Sequence, residues 1–118
     1  GFSFLGHLHE MMGGRLSCVV NARAVPVLPG AWEAADACLY TAAGQRNRNH
    51  TGPFVRFENV PFPMEEILFD PQTSGGLLLA AAPQKVEALA RELRAAGLPA
   101  AIVGEIRDAQ PTEITVKY

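Results

Sequence analysis

Apolar residues near the start of the chain recur with the spacing of a helix. Phe4, Leu8, Met11 and Met12 fall at i, i+4, i+7 and i+8. This pattern predicts a helix over residues 2–12. The adjacent glycines at 13–14 are typical of a helix end. The apolar run at 16–20 then predicts a short strand.

Three more helices are predicted from apolar spacing and from proline or glycine near their ends. The first starts after the Pro-Gly pair at 29–30 and places four apolar residues on one face, Trp32, Ala35, Leu39 and Ala42. The second covers residues 63–69. The third covers residues 84–96, is the most clearly amphipathic, and ends at Gly97.

Three strands are predicted in the C-terminal part of the chain. Residues 76–81 form a continuous apolar run, which is typical of a strand buried on both faces. Residues 101–106 form another strand, and residues 114–117 alternate as in a half-exposed strand. The helix at 84–96 would then connect two strands with a right-handed crossover, if those strands are parallel. The expected class is α+β, with helices covering a mixed sheet of about four strands.

Residues 44–61 show no clear period and carry a local positive charge. The segment contains three arginines, Arg46, Arg48 and Arg56, and only one acid, Glu58, although the net charge of the chain is −2. An aperiodic stretch of this length is unusual inside a compact domain. We interpret it as a mobile loop or as a surface that a neighbour covers.

Composition narrows the class of protein. A chain of 118 residues suits one domain. Its net charge argues against broad binding to nucleic acid or to an anionic membrane, and no apolar run is long enough to span a bilayer. Cys18 and Cys38 are expected to be reduced core thiols, as in a cytoplasmic protein. Because the chain begins with Gly1 inside an apolar pattern, we expect a processed product or an excised fragment.

The sequence Asp-Pro-Gln-Thr-Ser-Gly-Gly at 70–76 is the strongest candidate for a binding turn. Thr73 and Ser74 offer hydroxyls, and Gly75 and Gly76 would let successive backbone N–H groups converge on an anion such as phosphate. No lysine follows the glycines, so the segment is not a P-loop. A turn used for packing is the simpler interpretation. At least one of the two glycines should have a positive φ or a contact too close for a Cβ.

Other polar groups are weaker candidates. Arg46 and Asn47 could contact a phosphate or carboxylate, although solvated arginines are commoner in such segments. His7 and Glu10 could share a helix face but are too few to hold a metal. No nucleophile–base set is recognisable. From the residues alone, the chain contains no self-sufficient active site.

Three motifs occur in a fixed order: GFSFLGHLHEMM from Gly1, AAGQRN from Ala42 and ILFDPQTSGGLLLA from Ile67. Together they closely resemble the C-terminal part of the selenophosphate synthetases (selenide, water dikinases), a family within the AIR-synthase-like superfamily. The likeness covers essentially the whole chain. One departure is Ser3, where that family commonly has glycine.

The resemblance implies an AIR-synthase C-terminal-domain-like fold, truncated at its N-terminus. In that family the full-length enzyme uses ATP and magnesium to make selenophosphate from selenide and water. The reactive Cys or selenocysteine, the essential Lys and the magnesium aspartates lie in the N-terminal half. The resemblance therefore implies no catalytic residue, no metal ligand and no cofactor in this chain, which should be inactive alone. Two alternatives stay open: another AIR-synthase-like ATP-dependent enzyme, or a non-catalytic binding or assembly module.

The resemblance also implies a partner, the N-terminal ATP-binding domain, which the turn at 70–76 would face. The residues expected at that phosphate or domain boundary are Thr73, Ser74, Gly75, Gly76, Arg46 and Asn47. We further expect self-association, because Phe2, Phe4 and Leu5 would lie exposed where the domain is cut.

Overall fold

A computed structural model describes all 118 residues, which form five helices and four strands. The helices are α1 (Phe4–Met12), α2 (Ala31–Asp36), α3 (Ala42–Thr51), α4 (Phe62–Phe69) and α5 (Pro83–Ala95). The strands are β1 (Leu16–Asn21), β2 (Val55–Glu58), β3 (Gly104–Asp108) and β4 (Ile114–Lys117). Short 3₁₀ turns follow β1 and α3, at Ala22–Ala24 and Gly52–Phe54.

The four strands form one mixed sheet in the order β2-β4-β1-β3. The central pair β1 and β4 is parallel, as is the pair β2 and β4, whereas β3 runs antiparallel to β1. The predicted α+β class and the mixed sheet of about four strands are therefore confirmed.

The core lies between one face of the sheet and the helices. The sheet contributes alternate residues, Cys18 and Val20 from β1 and Ile114 and Val116 from β4. Helices α1 and α4 supply the opposing apolar side chains, which are Leu5, Leu8, Met12, Met64, Leu68 and Phe69. This packing fixes the end of α4, from which the candidate turn starts.

The glycine ends of α1 and α5 and the start of α4 agree with the predictions, and α1 has in addition a side-chain cap that was not predicted. Ser3 caps α1 by accepting a hydrogen bond from the backbone N–H of Gly6 at 3.0 Å. The buried hydroxyl of Ser3 thus has a structural use where the resembling family has glycine. Gly13 ends α1 with φ +58°, and Gly97 follows α5 with φ +81°. Helix α4 starts within one residue of its predicted position.

The predicted extent of the second helix is wrong. Helix α2 ends at Asp36, and Leu39 is 74% exposed instead of lying on its buried face. Cys38 adopts the left-handed conformation with φ +60°. The N–H groups of Cys38 and Leu39 return to the carbonyls of Ala35 and Ala34, as in a Schellman motif. Cys38 is also exposed, so only Cys18 is the core thiol that the sequence predicted.

The predicted strand at residues 76–81 is also wrong. The segment is unpaired, and Leu77 and Leu79 are 86% and 56% exposed, so it is not buried on both faces. Only Leu78 packs against the core. A strand requires a partner, and this segment pairs with neither edge of the sheet, β2 or β3. The predicted strand–helix–strand unit is therefore absent.

The segment interpreted as a loop at residues 44–61 contains regular structure. Helix α3 covers its first part and β2 its second. The loop interpretation is therefore wrong. The helix was not predicted because α3 is mostly polar and shows little apolar periodicity. Whether the segment is mobile stays a prediction that amide exchange can test.

Candidate functional site

The candidate turn begins where α4 ends. Asp70 leaves the helix with an extended backbone, because the following proline disfavours the helical conformation. Pro71 pairs with Ser3 in an isolated antiparallel bridge. The N–H of Gln72 donates to the carbonyl oxygen of Phe2 at 3.3 Å. The start of the turn is therefore attached to the residues that lead into α1.

The two glycines of the turn differ from each other. A Cβ on Gly75 would lie 3.1 Å from the carbonyl oxygen of Gln72, which already accepts the N–H of Gly75 at the same distance. A Cβ on Gly76 would meet nothing within 4 Å. Neither glycine has a positive φ; Ser74 does, with φ +54°. The close approach predicted for at least one of the two glycines is found in part at Gly75 and not at Gly76.

The N-terminus of α3 packs directly on the start of the turn. The hydroxyl of Thr41 accepts the N–H of Gly44 at 2.9 Å and donates to Oδ1 of Asp70 at 3.1 Å. A Cβ on Gly44 would lie 3.3 Å from the Thr41 hydroxyl and 3.7 Å from Cα of Asp70. The glycine of the AAGQRN motif thus allows α3 to approach the Asp-Pro turn closely.

Asn47 joins the three motifs. Its side-chain Nδ2 donates to the carbonyl oxygen of Phe69 at 3.0 Å and lies 3.3 Å from that of Gly1. One residue of α3 is thus bonded both to the chain before α1 and to the last residue of α4. Because an amide nitrogen carries two N–H groups, Asn47 can satisfy both acceptors at once.

A partly buried ionic cluster fixes the next turn of α3 against α4. Nη2 of Arg48 lies 2.6 Å from Oε1 of Glu66, and both Nη atoms donate to Glu65 at 3.0 Å. Gln45 donates to the other oxygen of Glu66. Glu66 is only 3% exposed, so these partners compensate a carboxylate removed from water. The guanidinium also lies 4.7 Å from the ring centre of Phe69.

The six predicted site residues therefore divide into two groups. Asn47 lies inside the junction of the three motifs. Thr73, Ser74, Gly75 and Gly76 are exposed on the turn that the junction supports. Arg46 is exposed on α3, and its side chain makes no hydrogen bond or ion pair within the chain. Arg48 departs from the solvated arginines that are commoner in such segments, since it pairs with Glu65 and Glu66.

A second polar cluster was missed by sequence reasoning. Nδ1 of His9 lies 2.6 Å from Oε1 of Glu113, and its ring stacks on Phe54 with centroids 4.1 Å apart. The ring of His50 lies edge-on to the same imidazole, with the ring centroids 6.1 Å apart. Residues 9 and 113 lie 104 positions apart, so no local pattern indicates their contact. His9 itself is partly buried.

Burial raises the pKa of the Cys18 thiol from 9.0 to about 11, and the negative charge of Glu113 adds to this effect. The thiol therefore stays protonated near neutral pH and is a poor nucleophile. Its Sγ belongs to the core cluster and not to the candidate turn.

The exposed turn has the chemistry of a contact surface. Hydroxyls at Thr73 and Ser74 and the backbone N–H groups of Ser74 and Gly76 can donate to a phosphate or to another domain, whereas the N–H of Gly75 is already bonded to Gln72. Within the chain, no group of three or more His, Cys, Asp or Glu side chains could hold a metal ion. None of the five helices has both the length and the apolar character needed to cross a membrane.

A family model described as "AIR synthase related protein, C-terminal domain" matches residues 1–117. The chain is 55% identical over 105 residues to a selenide, water dikinase from Agathobacter rectalis, an alignment that covers 88% of this chain and 31% of the relative. It is 40% identical over 117 residues to the selenide, water dikinase of Desulfitobacterium hafniense strain Y51, covering 99% of this chain and 34% of the relative.

A third relative, the selenide, water dikinase of Pelobacter propionicus, is 44% identical over 121 aligned residues, again 99% of this chain and 34% of the relative. The chain spans about a third of the length of these curated relatives. These comparisons confirm the resemblance to the selenide, water dikinases that the three motifs indicated.

Proposed function

Because this chain belongs to the family of AIR synthase related C-terminal domains, we propose that it is the C-terminal domain of a selenide, water dikinase. The complete enzyme makes selenophosphate from ATP, selenide and water. The observation that carries the proposal is the junction at Asn47, where the three motifs of the resembling family meet.

The domain's role in this proposal is to hold the turn at residues 73–76 in a fixed position. The turn faces the N-terminal ATP-binding domain, and its hydroxyls and N–H groups contact that domain or a phosphate of the nucleotide. Helix α3 supports the turn from behind through Thr41 and Asn47. Arg46, exposed on the same helix, is available to the same partner.

The chemistry belongs to the rest of the enzyme. The residues of this chain do not fit a magnesium site, and no step of the reaction is assigned to a metal held by them. We expect the 118-residue chain alone to release no AMP from ATP in the presence of selenide and magnesium. The free thiols of Cys18 and Cys38 suit a reducing compartment, which supports the cytoplasmic location we propose.

A domain exchange tests the proposal. The 118 residues replace the aligned C-terminal part of the Agathobacter rectalis enzyme, and selenide-dependent AMP release is measured. We expect the exchanged enzyme to keep activity, and the additional change Asn47→Ala to lower it. Asn49→Ala is the matched control, because Asn49 is exposed on the same helix.

Two outcomes would contradict the proposal. The first is a folded exchanged enzyme without activity while the unmodified relative is active. The second is turnover by the isolated 118-residue chain that follows the protein through chromatography.

A further inference from the structure

A polar cavity of about 220 Å³ lies on the face of the sheet opposite the core, away from α1 and α4. Core residues such as Cys18 and Val116 point to the helices. Because successive side chains of a strand alternate between faces, their neighbours Ser17 and Thr115 point into this cavity. None of the three motifs described above lies here.

Three cations from three different strands line the cavity. They are Arg56 of β2, Lys117 of β4 and Arg107 of β3, and no carboxylate is among the ten lining residues. The register of the sheet sets their positions, since Arg56 pairs with Thr115 and Arg107 pairs with Ser17. In a chain with net charge −2, this is a local concentration of positive charge.

Two acids that do not line the cavity form ion pairs with these cations, but they do not balance all of the positive charge. Glu58 lies 2.8 Å from Nη2 of Arg56 and 3.3 Å from Nζ of Lys117. Glu105 accepts from Nε of Arg107, which leaves both Nη groups of that arginine free of partners within the chain. Three positive charges facing two negative charges leave an excess of one.

Uncharged donors complete the lining. Thr115 is 8% exposed, and Ser17 is 3% exposed with its hydroxyl accepting the backbone N–H of Gln110 at 2.8 Å. That bond fixes the loop that carries Gln110 and Thr112 at the cavity's edge. Guanidinium groups, which can donate two parallel hydrogen bonds, and hydroxyl donors are typical of sites that recognise phosphate oxygens.

We propose that this cavity binds a phosphate group. Its volume is below the range typical of sites that enclose a drug-sized ligand, so it takes a phosphate-sized dianion and leaves any larger part of the ligand outside. The strands β2, β4 and β1 are parallel, and parallel strands are usually covered on both faces. An open polar face on such strands suits a charged ligand.

Titration with inorganic phosphate at low ionic strength tests the proposal, because screening weakens exposed charges. Backbone amide signals of the 118-residue chain are followed by NMR. We expect saturable shifts at Ser17, Gln110 and Thr115. Arg107→Gln and Arg56→Gln should each weaken binding by about tenfold, as expected for a charge-assisted hydrogen bond. Arg91→Gln, on exposed α5 away from the cavity, should leave binding unchanged.

Parallel titrations with AMP distinguish the source of the phosphate. Tighter binding of AMP than of inorganic phosphate would indicate a nucleotide, and equal binding would indicate free phosphate; either supports the site. Absence of saturable shifts across the millimolar range would overturn it. So would an equal loss of affinity in Arg91→Gln, since that is a general effect of net charge. The readout is binding by this chain, so its outcome is independent of the proposed enzyme activity.

Discussion

Nδ2 of Asn47 lies 3.0 Å from the carbonyl oxygen of Phe69, and this hydrogen bond ties α3 to the last residue of α4. The following residue begins the candidate turn. The same nitrogen lies 3.3 Å from the carbonyl oxygen of Gly1. Together with the backbone hydrogen bond from Gln72 to Phe2 and the Ser3–Pro71 bridge, this side chain fixes the turn relative to the start of the chain.

Replacing Asn47 by alanine should destabilise the domain. It leaves two carbonyl oxygens without their donor, and the expected loss in the free energy of unfolding is roughly 1–3 kcal/mol. Asn47→Asp should cost more, because a carboxylate would face the same two acceptors. Urea unfolding measures both, with Asn49→Ala as the control. A loss of equal size in the control would show that the amide of Asn47 has no special part in the junction.

The Arg48–Glu66 pair gives a second prediction. Arg48→Ala should lower the free energy of unfolding by roughly 3 kcal/mol, because it leaves Glu66, only 3% exposed, without its cation. This is the low end of the usual range, since Arg48 itself is 27% exposed.

The double variant Arg48→Ala, Glu66→Ala should be more stable than the sum of the two single changes predicts. Arg46→Ala is the matched control, as Arg46 is exposed on the same helix. Strict additivity of the two single changes would contradict the coupling.

Two helix ends show what the sequence can predict and what it cannot. Helices α2 and α5 end in the same Schellman arrangement, with the left-handed position occupied by Cys38 in one and Gly97 in the other. Glycine in that position is a visible signal, so the end of α5 was predicted within a residue. Cysteine carries no such signal, and the predicted helix continued past it.

Contacts between distant segments were not predictable from local pattern. The resemblance identified Asn47 as a boundary residue, but its two carbonyl acceptors depend on how three segments fold together. The same applies to His9 with Glu113 and to Arg48 with Glu66. The failure at residues 76–81 has the same origin, because an apolar run shows that burial is favourable and does not supply a neighbouring strand.

The two glycines of the turn should respond in opposite directions to alanine. Gly75→Ala places a Cβ 3.1 Å from the Gln72 carbonyl oxygen and should cost on the order of 1 kcal/mol. Gly76→Ala meets no atom within 4 Å and should stabilise by roughly 0.4–1 kcal/mol, because it restricts the unfolded chain. Thermal unfolding of the two variants measures both changes in stability. Stabilisation by both would remove the argument for a close approach at Gly75.

Cys18 should make the stability of the domain fall at alkaline pH. The thiol has a pKa of about 11 when folded and 9.0 as its ordinary value. Between those two values the unfolded chain loses the proton while the folded chain keeps it, so unfolding becomes more favourable as pH rises. The stabilising contribution is fully present below pH 9 and is lost as pH rises through about 11.

Comparison with Cys18→Ala isolates this effect from other groups that titrate in the same range. The difference in the free energy of unfolding between the two proteins should shrink from pH 9 to pH 11. At pH 8 a thiol reagent should label exposed Cys38 and leave Cys18 unmodified in the folded protein. A constant difference across that pH range would argue against a raised pKa.

The chain is expected to self-associate, although fewer apolar residues are exposed near its start than the sequence predicted. Of the three residues expected to be exposed, Leu5 is fully buried and Phe4 packs partly against the core, whereas Phe2 stays 48% exposed. Leu77 and Leu79 add exposed apolar surface beyond the turn. Strands β2 and β3 form the two edges of the sheet, and an unpaired edge can pair with another copy.

We expect the 118-residue chain to form a dimer at micromolar concentration, because covering such side chains is favourable by roughly 1.5–3 kcal/mol each when burial is complete. Light scattering gives the mass directly. Phe2→Ser, and Leu77→Ser with Leu79→Ser, should shift the protein toward monomer. Leu28→Ser is the control, because Leu28 is 80% exposed in the connection before α2. A monomeric unmodified chain would refute self-association, and an equal shift in the control would move the contact away from Phe2 and the leucines after the turn.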